Sequence, residues 1–287
     1  MTTTWEQVTN TAKLISLPDI YLQLKAVLDN PDYAMTDVAV VISHDPALTA
    51  RLLRLVNSSY FGLATRIDTV SHAINMLGTQ QVHDLVLATS VAETFKDMSS
   101  DVMDMRLFWS HSVCCAVTAR MLAYACNVLD SERLFVAGLL ADIGHLVMYQ
   151  SIPDLSQQSI ARAEKNGRPL YLVERSLIGL DYARVGGALM RRWGLPKSLW
   201  ESTEFHVEPG RATEYPIQTA IIHIATTLTA AAESSEEPDA RMSEVDTTAW
   251  DVTELTPEQC IAVQKEVGRK VDSVINLFFP PKRAAHA

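Results

Sequence analysis

Three features of this 287-residue sequence predict an all-α fold. Apolar residues recur every three or four positions along most of the chain, the spacing of a buried helix face. Strand-like alternation flanked by paired turn residues is missing. Capping residues, prolines and glycines punctuate the chain at helix-sized intervals.

Leu22, Leu24, Val27 and Leu28 mark one helix, opened by Pro18-Asp19 and closed near Asn30-Pro31. A short helix follows over 37–42. Asp45-Pro46 is a cap with proline at the first helical position; it launches a helix with the stripe Leu48, Leu52, Leu53, Leu55 and Val56, ending at Asn57. A loop over 58–62 carries the aromatics Tyr60 and Phe61. A helix over 70–77 stops at Gly78, and Thr79 is expected to cap the next, with Val82, Leu85, Val86 and Val91 inward. The polar break at 96–101 is the candidate boundary between two parts of the chain. Beyond it, a long amphipathic helix over 107–126 contains His111. Ser131-Glu132 starts a helix that runs through Asp142. Further helices are expected over 153–166, 169–180, 182–193, 196–205 and 217–232, the fourth after Pro196 and the last holding His223 and Thr226. Asp181 caps the helix over 182–193 and Gly194 stops it. An acidic connector at 233–239 precedes a final helix, started by Thr256-Pro257-Glu258 and reaching about Phe279.

Composition narrows the function classes. Hydrophobic residues make up 48% and charged residues 20%, which is globular rather than disordered. The formal net charge of −10 repels phosphate backbones, and no Lys/Arg-rich run offsets it locally, so no nucleic-acid partner is expected. No basic-then-apolar leader opens the chain, and no window reaches ~18 uninterrupted apolar residues, so neither a signal peptide nor a membrane span is expected. Cys114, Cys115, Cys126 and Cys260 fit no zinc or redox spacing. They read as reduced, mostly buried thiols in a cytoplasmic protein.

The most informative stretch is 139–145, Leu-Leu-Ala-Asp-Ile-Gly-His. Asp142 sits in an apolar run that begins at Phe135. A carboxylate there is costly unless it meets a cation, a metal or hydrogen-bond donors, so its partner decides the function.

The chain resembles the HDOD family, a group of signalling modules related to the His-Asp (HD) phosphohydrolases. The residues that carry the likeness are Leu17-Pro18, the stretches 43–49 (Ser-His-Asp-Pro-Ala-Leu-Thr) and 53–58, the stretch 70–78 (Val-Ser-His-Ala-Ile-Asn-Met-Leu-Gly), 135–140 and 191–196 (Arg-Arg-Trp-Gly-Leu-Pro). They span roughly residues 15 to 230 in the family's order and spacing. The resemblance implies two helical lobes: an N-terminal bundle over 1–100 and an HD-hydrolase-like lobe over 101–233. Residues 234–287 are expected as an acidic connector and a helix packing back on the second lobe.

HD hydrolases hold divalent metal with a first His, a His-Asp pair and a later Asp, and the cation makes hydroxide from a bound water. Carried over by position, His111 stands for the first His and Asp142 for the Asp of the pair. Ala141 replaces the paired His, and Thr226 replaces the last Asp. Tyr182 and Phe205 stand where relatives with a second metal have His, and His206 is retained. Alanine cannot coordinate and threonine is a poor ligand beside carboxylate and imidazole. His111, Asp142 and His206 are therefore vestigial or weak candidates, with His145 and His223 as substitutes in a rebuilt site. The competing reading pairs His111 directly with Asp142, with no metal.

No catalytic residue and no cofactor is expected, one divalent metal being the alternative. The resemblance implies a non-catalytic regulatory module that acts by protein–protein contact in bacterial signal transduction. Tyr60 and Phe61 are its candidate interaction residues, although plugs between the lobes would read the same way. No receiver, GGDEF or EAL segment is recognised, so the input is expected from another chain or a small ligand. Two alternatives remain open: a metal-dependent phosphohydrolase on a nucleotide or phosphomonoester, and a sensor of a phosphorylated ligand using Arg184, Arg191 and Arg192. His44, His72 and His83 are expected in solvent, and Trp193 and Trp200 in the core.

Overall fold

The computed structural model describes residues 4–58, 61–95, 98, 100–234 and 241–278. Among these the chain is helical throughout, with no strand. Tyr60 and most of the acidic connector lie outside the described residues. The chain divides into two compact units. The larger comprises Met1–Ser16 and Met98–Lys265, the smaller Leu17–Asp97 and Glu266–Ala287.

The smaller unit contains α2 (Asp19–Leu28), α3 (Met35–Ser43), α4 (Pro46–Val56), α5 (Val70–Leu77) and α6 (Thr79–Thr94). The Asp45 carboxylate accepts from the amides of Ala47 and Leu48, and Thr69 accepts from His72, so α4 and α5 start at side-chain caps. Gly78, with φ 90°, joins α5 to α6; the expected cap Thr79 is the first residue of the helix instead. A residue with a side chain would be strained at that φ. Every residue of α6 from Val82 to Ala92 is buried, which includes His83. Its expected exposure is thus corrected. His83 Nδ1 lies 3.1 Å from Asp84 Oδ1, and Gln80 donates to the same carboxylate (3.0 Å), so polar partners replace solvent. His44 is exposed and His72 half-buried. Phe61 is half-buried.

The larger unit contains α1 (Thr4–Leu14), α7 (Met105–Ala125), α8 (Ser131–Leu140), α9 (Ile143–Ser151), α10 (Pro153–Asn166), α11 (Leu170–Ile178), α12 (Tyr182–Arg192), α13 (Lys197–Phe205), α14 (Pro216–Ser234) and α15 (Thr247–Thr253). A last helix, α16 (Pro257–Phe278), starts here, and its residues from Glu266 count with the smaller unit. Helices α1 and α15 have no counterpart in the sequence reading. Val8 of α1 is buried.

One expected element is corrected. The helix read as continuous through Asp142 ends at Leu140, and α9 begins at Ile143. Asp142, with φ −101° and ψ 10°, sits in the break, and its carbonyl accepts from the amide of His145 (3.0 Å).

Small residues set the spacing of this unit. A Cβ on Gly138 of α8 would come within 2.8 Å of the Ala116 backbone of α7. One on Gly144 of α9 would lie 1.9 Å from the Tyr182 carbonyl of α12. On α12, a Cβ on Gly187 would meet Glu204 of α13 at 2.7 Å. The buried pair Arg120–Glu132 (2.9 Å) ties α7 to α8. Trp193, buried as expected, donates to the Ile15 carbonyl (3.1 Å), whereas Trp200 is half-buried beneath Arg191 and Lys197. Over Ser131–Ser151 the chain is long and apolar enough to cross a membrane (mean hydropathy 1.3), and 83% of that window is buried inside the protein. Among the described residues no cysteine forms a disulfide, and burial pushes Cys126 up to about 11 and Cys260 to about 12.

Gly144→Ala is expected to lower stability by ~2–3 kcal/mol, because backbone rather than a movable side chain occupies the space of the new methyl. Urea denaturation measures it; an unchanged midpoint would mean that α9 and α12 are not in this contact.

Candidate functional site: the Asp142 cluster

The break between α8 and α9 points the Asp142 side chain at three histidines. His111, one-third of the way along α7, brings Nε2 to 3.1 Å from Asp142 Oδ2. His206, just past α13, brings Nε2 to 3.8 Å from Oδ1, outside hydrogen-bond range. His145 lies on the first turn of α9. The cluster is largely enclosed, with side-chain exposures of 21% for His111, 13% for Asp142 and 1% for His206.

Hydrogen bonds fix how the imidazoles are used. His206 Nδ1–H donates to the Thr203 carbonyl (2.7 Å), which leaves Nε2 as an acceptor facing the Tyr182 hydroxyl (3.3 Å). His223 Nδ1–H donates to the His206 carbonyl (2.7 Å), and its Nε2 accepts from the Asp246 amide (3.0 Å). Both His223 nitrogens are therefore engaged by backbone. His145 is stacked on Tyr182 (centroids 4.0 Å apart) and Tyr149 (5.2 Å), with Nδ1 3.8 Å from Glu174 Oε1. The hydroxyl of Thr226 donates within its own helix, to the carbonyls of Ile222 and His223.

Ala141 offers no ligand, Thr226 has turned away, and His111 meets Asp142 directly. Among the described residues no group of three or more His, Cys, Asp or Glu side chains is disposed to share an ion. Of the arginines considered for a phosphorylated ligand, Arg191 pairs with Glu204 and lies over Trp200, while Arg184 and Arg192 are exposed.

Glu174, on α11, is a member of this cluster that the sequence reading missed. It is almost fully buried, and its Oε2 accepts from the Tyr182 amide at 3.0 Å. Its one sequence signal is its place beside Val173 in a short amphipathic helix. The electrostatics follow from enclosure. For Asp142, burial pushes the carboxyl up. The hydrogen bond from His111 and the charges of His111, His145 and His206 outweigh that and hold it well below the usual carboxylate range. Burial drives His145 down to about 4 and also lowers His206, so His111, the histidine within hydrogen-bond reach, is the main support of the carboxylate. Burial pushes Glu174 up to about 8, with Asp181 and Asp142 adding to the rise, so it carries its proton at neutral pH.

This helical fold has known counterparts. One is a candidate phosphohydrolase from Shewanella amazonensis SB2B, 24% identical, with a TM-score of 0.74 over 95% of this chain and 96% of that one. Another is an HDOD domain protein of unknown function from Geobacter sulfurreducens, 20% identical, with a TM-score of 0.74 over 95% of this chain and 98% of that one. At these identities the likeness is one of fold. The sequence itself decides the family: the HDOD domain model matches residues 14–209, and the chain belongs to the HDOD family. An uncharacterized protein of Treponema pallidum is 27% identical over 195 residues, 66% of this chain; the match spans 37% of that curated relative's length.

Two outcomes test the cluster. His111→Ala removes the donor to a buried carboxylate and is expected to lower stability by ~1–3 kcal/mol. A variant that melts like the parent would show that the pair is not formed. Glu174 has a folded pKa raised above its ordinary 4.5, so its contribution is complete below about pH 4.5 and is lost as pH climbs through about 8. His145, depressed from 6.5 to about 4, works in the opposite sense: its contribution is present above 6.5 and lost as pH falls. The two oppose each other between 4.5 and 6.5, and Glu174 acts alone above that. Glu174→Gln, which keeps an acceptor for Tyr182, is expected to flatten the fall in melting temperature between about pH 6.5 and pH 8. Parallel profiles for variant and parent would refute a protonated Glu174.

Proposed function

We propose that this HDOD protein is a non-catalytic regulatory module that acts in signal transduction by contact with another protein, its HD metal site being degenerate. The observation that carries this reading is the fate of the two lost ligands. Ala141 cannot coordinate, and the Thr226 hydroxyl is bonded to its own helix. Asp142 is stabilised by His111 at 3.1 Å instead of by a cation. Without a Lewis acid to generate hydroxide at neutral pH, the cluster has no nucleophile for phosphoester hydrolysis. What it retains is a structural task, to hold α7, the break between α8 and α9 and the region after α13 around one carboxylate.

Purified without chelator, the protein is expected to carry far less than one equivalent of iron, manganese, zinc or nickel. The double variant Ala141→His/Thr226→Asp, which restores the four-residue donor set, is expected to gain stoichiometric metal. Elemental analysis reads both, and stoichiometric metal in the parent that disappears in Asp142→Asn sinks the proposal. In cells, the same Asp142→Asn variant is expected to keep the regulatory output that deletion of the protein abolishes. Loss of output from a stably folded Asp142→Asn protein would point to chemistry at the site.

A further inference from the structure

The smaller unit carries a concavity of about 440 Å³ where the last turn of α4 meets the segment leading into α5. That volume suits a small molecule. Leu53 and Leu63 give it an apolar wall over the buried Ile67, and Arg54, Arg66 and Asp68 line it with charge.

The walls are held together by Asn57. Its Nδ2 donates to the carbonyls of Leu53 (2.8 Å) and Ile67 (2.7 Å), and its Oδ1 accepts from the Ile67 amide (2.7 Å). The segment at Ile67 is thereby fixed to α4 without a ligand, which lowers the ordering cost of binding. The same clamp mutes the negative end of α4. The Leu53 carbonyl, which the helix itself leaves without a partner, accepts from both the Asn57 amide (3.0 Å) and its side chain.

Two arginines against one carboxylate leave the lining with net positive charge, in a chain whose formal net charge is −10. Arg66 donates through Nε to Asp68 (2.9 Å), which leaves its terminal amino groups for another acceptor. Arg54 makes no ion pair among the described residues.

We propose that this cleft binds a small organic anion, with its acidic group on Arg54 and Arg66 and its apolar body against Leu53 and Leu63. Guanidinium forks match the planar, two-oxygen geometry of such groups. Asp68 competes for Arg66 and so limits the affinity. The site belongs to the other unit from the Asp142 cluster, and its failure would leave the reading of that cluster untouched.

Calorimetric titration of the full chain with 1-naphthoate tests the proposal, with neutral 1-naphthamide as the uncharged control. Saturable binding with one site per chain is expected for the anion, and about tenfold weaker binding for the amide. Arg54→Gln, at an exposed position, is expected to weaken naphthoate binding by about tenfold. Asp68→Asn, which frees Arg66, is expected to strengthen it. Circular dichroism melts confirm that both variants fold, and the opposite signs separate a site from general damage. No saturable binding of naphthoate, equal binding of the amide, or indifference to both substitutions overturns the assignment.

Discussion

One carboxylate in a break between two helices sets the terms for the larger unit. Asp142 is ionised where burial alone would keep it neutral, and it stays so because α7 delivers His111 to 3.1 Å. The helix break follows from the same demand. Carried on through an unbroken α-helix, the residue would present its side chain at whatever angle the helical period set. In the bridge conformation at 142 the carboxylate faces α7 and the turn after α13 together. Close helix approach then makes the site small. Gly144 lets α9 lie against the Tyr182 carbonyl, which places the Tyr182 ring on His145 and its hydroxyl near His206.

The side chains around Asp142 also pair among themselves and with backbone. Tyr182 stacks on His145 and approaches His206, where its hydroxyl takes up the imidazole lone pair. Thr226 satisfies itself along its own helix. His223 is tied at both nitrogens to backbone, which turns a residue with ligand chemistry into a strut between the segment at 206 and the segment at 246. Few polar groups around Asp142 are left stranded among the described residues. The exceptions are His145 Nδ1 and the Tyr149 hydroxyl, which have no hydrogen-bond partner beside the protonated Glu174.

Much of this was legible in the sequence. Caps at Asp45 and Asp181, the stops at Gly78 and Gly167, and apolar stripes such as that of α4 placed most helices within a residue or two. The suspicion that His111 answers Asp142 rested on their aligned positions. What the sequence concealed has physical causes. The break at 141–142 was hidden because Ala141 is a good helix former and the apolar run continues on both sides. His83 looked like a surface residue because its partners, Asp84 and Gln80, are polar and satisfy it out of reach of water. Glu174 resembled any charged residue on an amphipathic helix, since nothing local reports that Tyr182 will bring an amide to it.

The apolar stretch from Ser131 to Ser151 has a further consequence, for the order in which the protein is made. It leaves the ribosome with α7 already available to pair with α8. Helix α1, already made, also packs on α9, but α12 on α9 and α13 and α14 on α8 are encoded downstream. For the time needed to synthesise some forty to eighty further residues, a segment with the length and hydropathy of a membrane span is only partly covered. The interior that holds Asp142 in the finished protein is therefore, in the nascent one, the surface most in need of a chaperone.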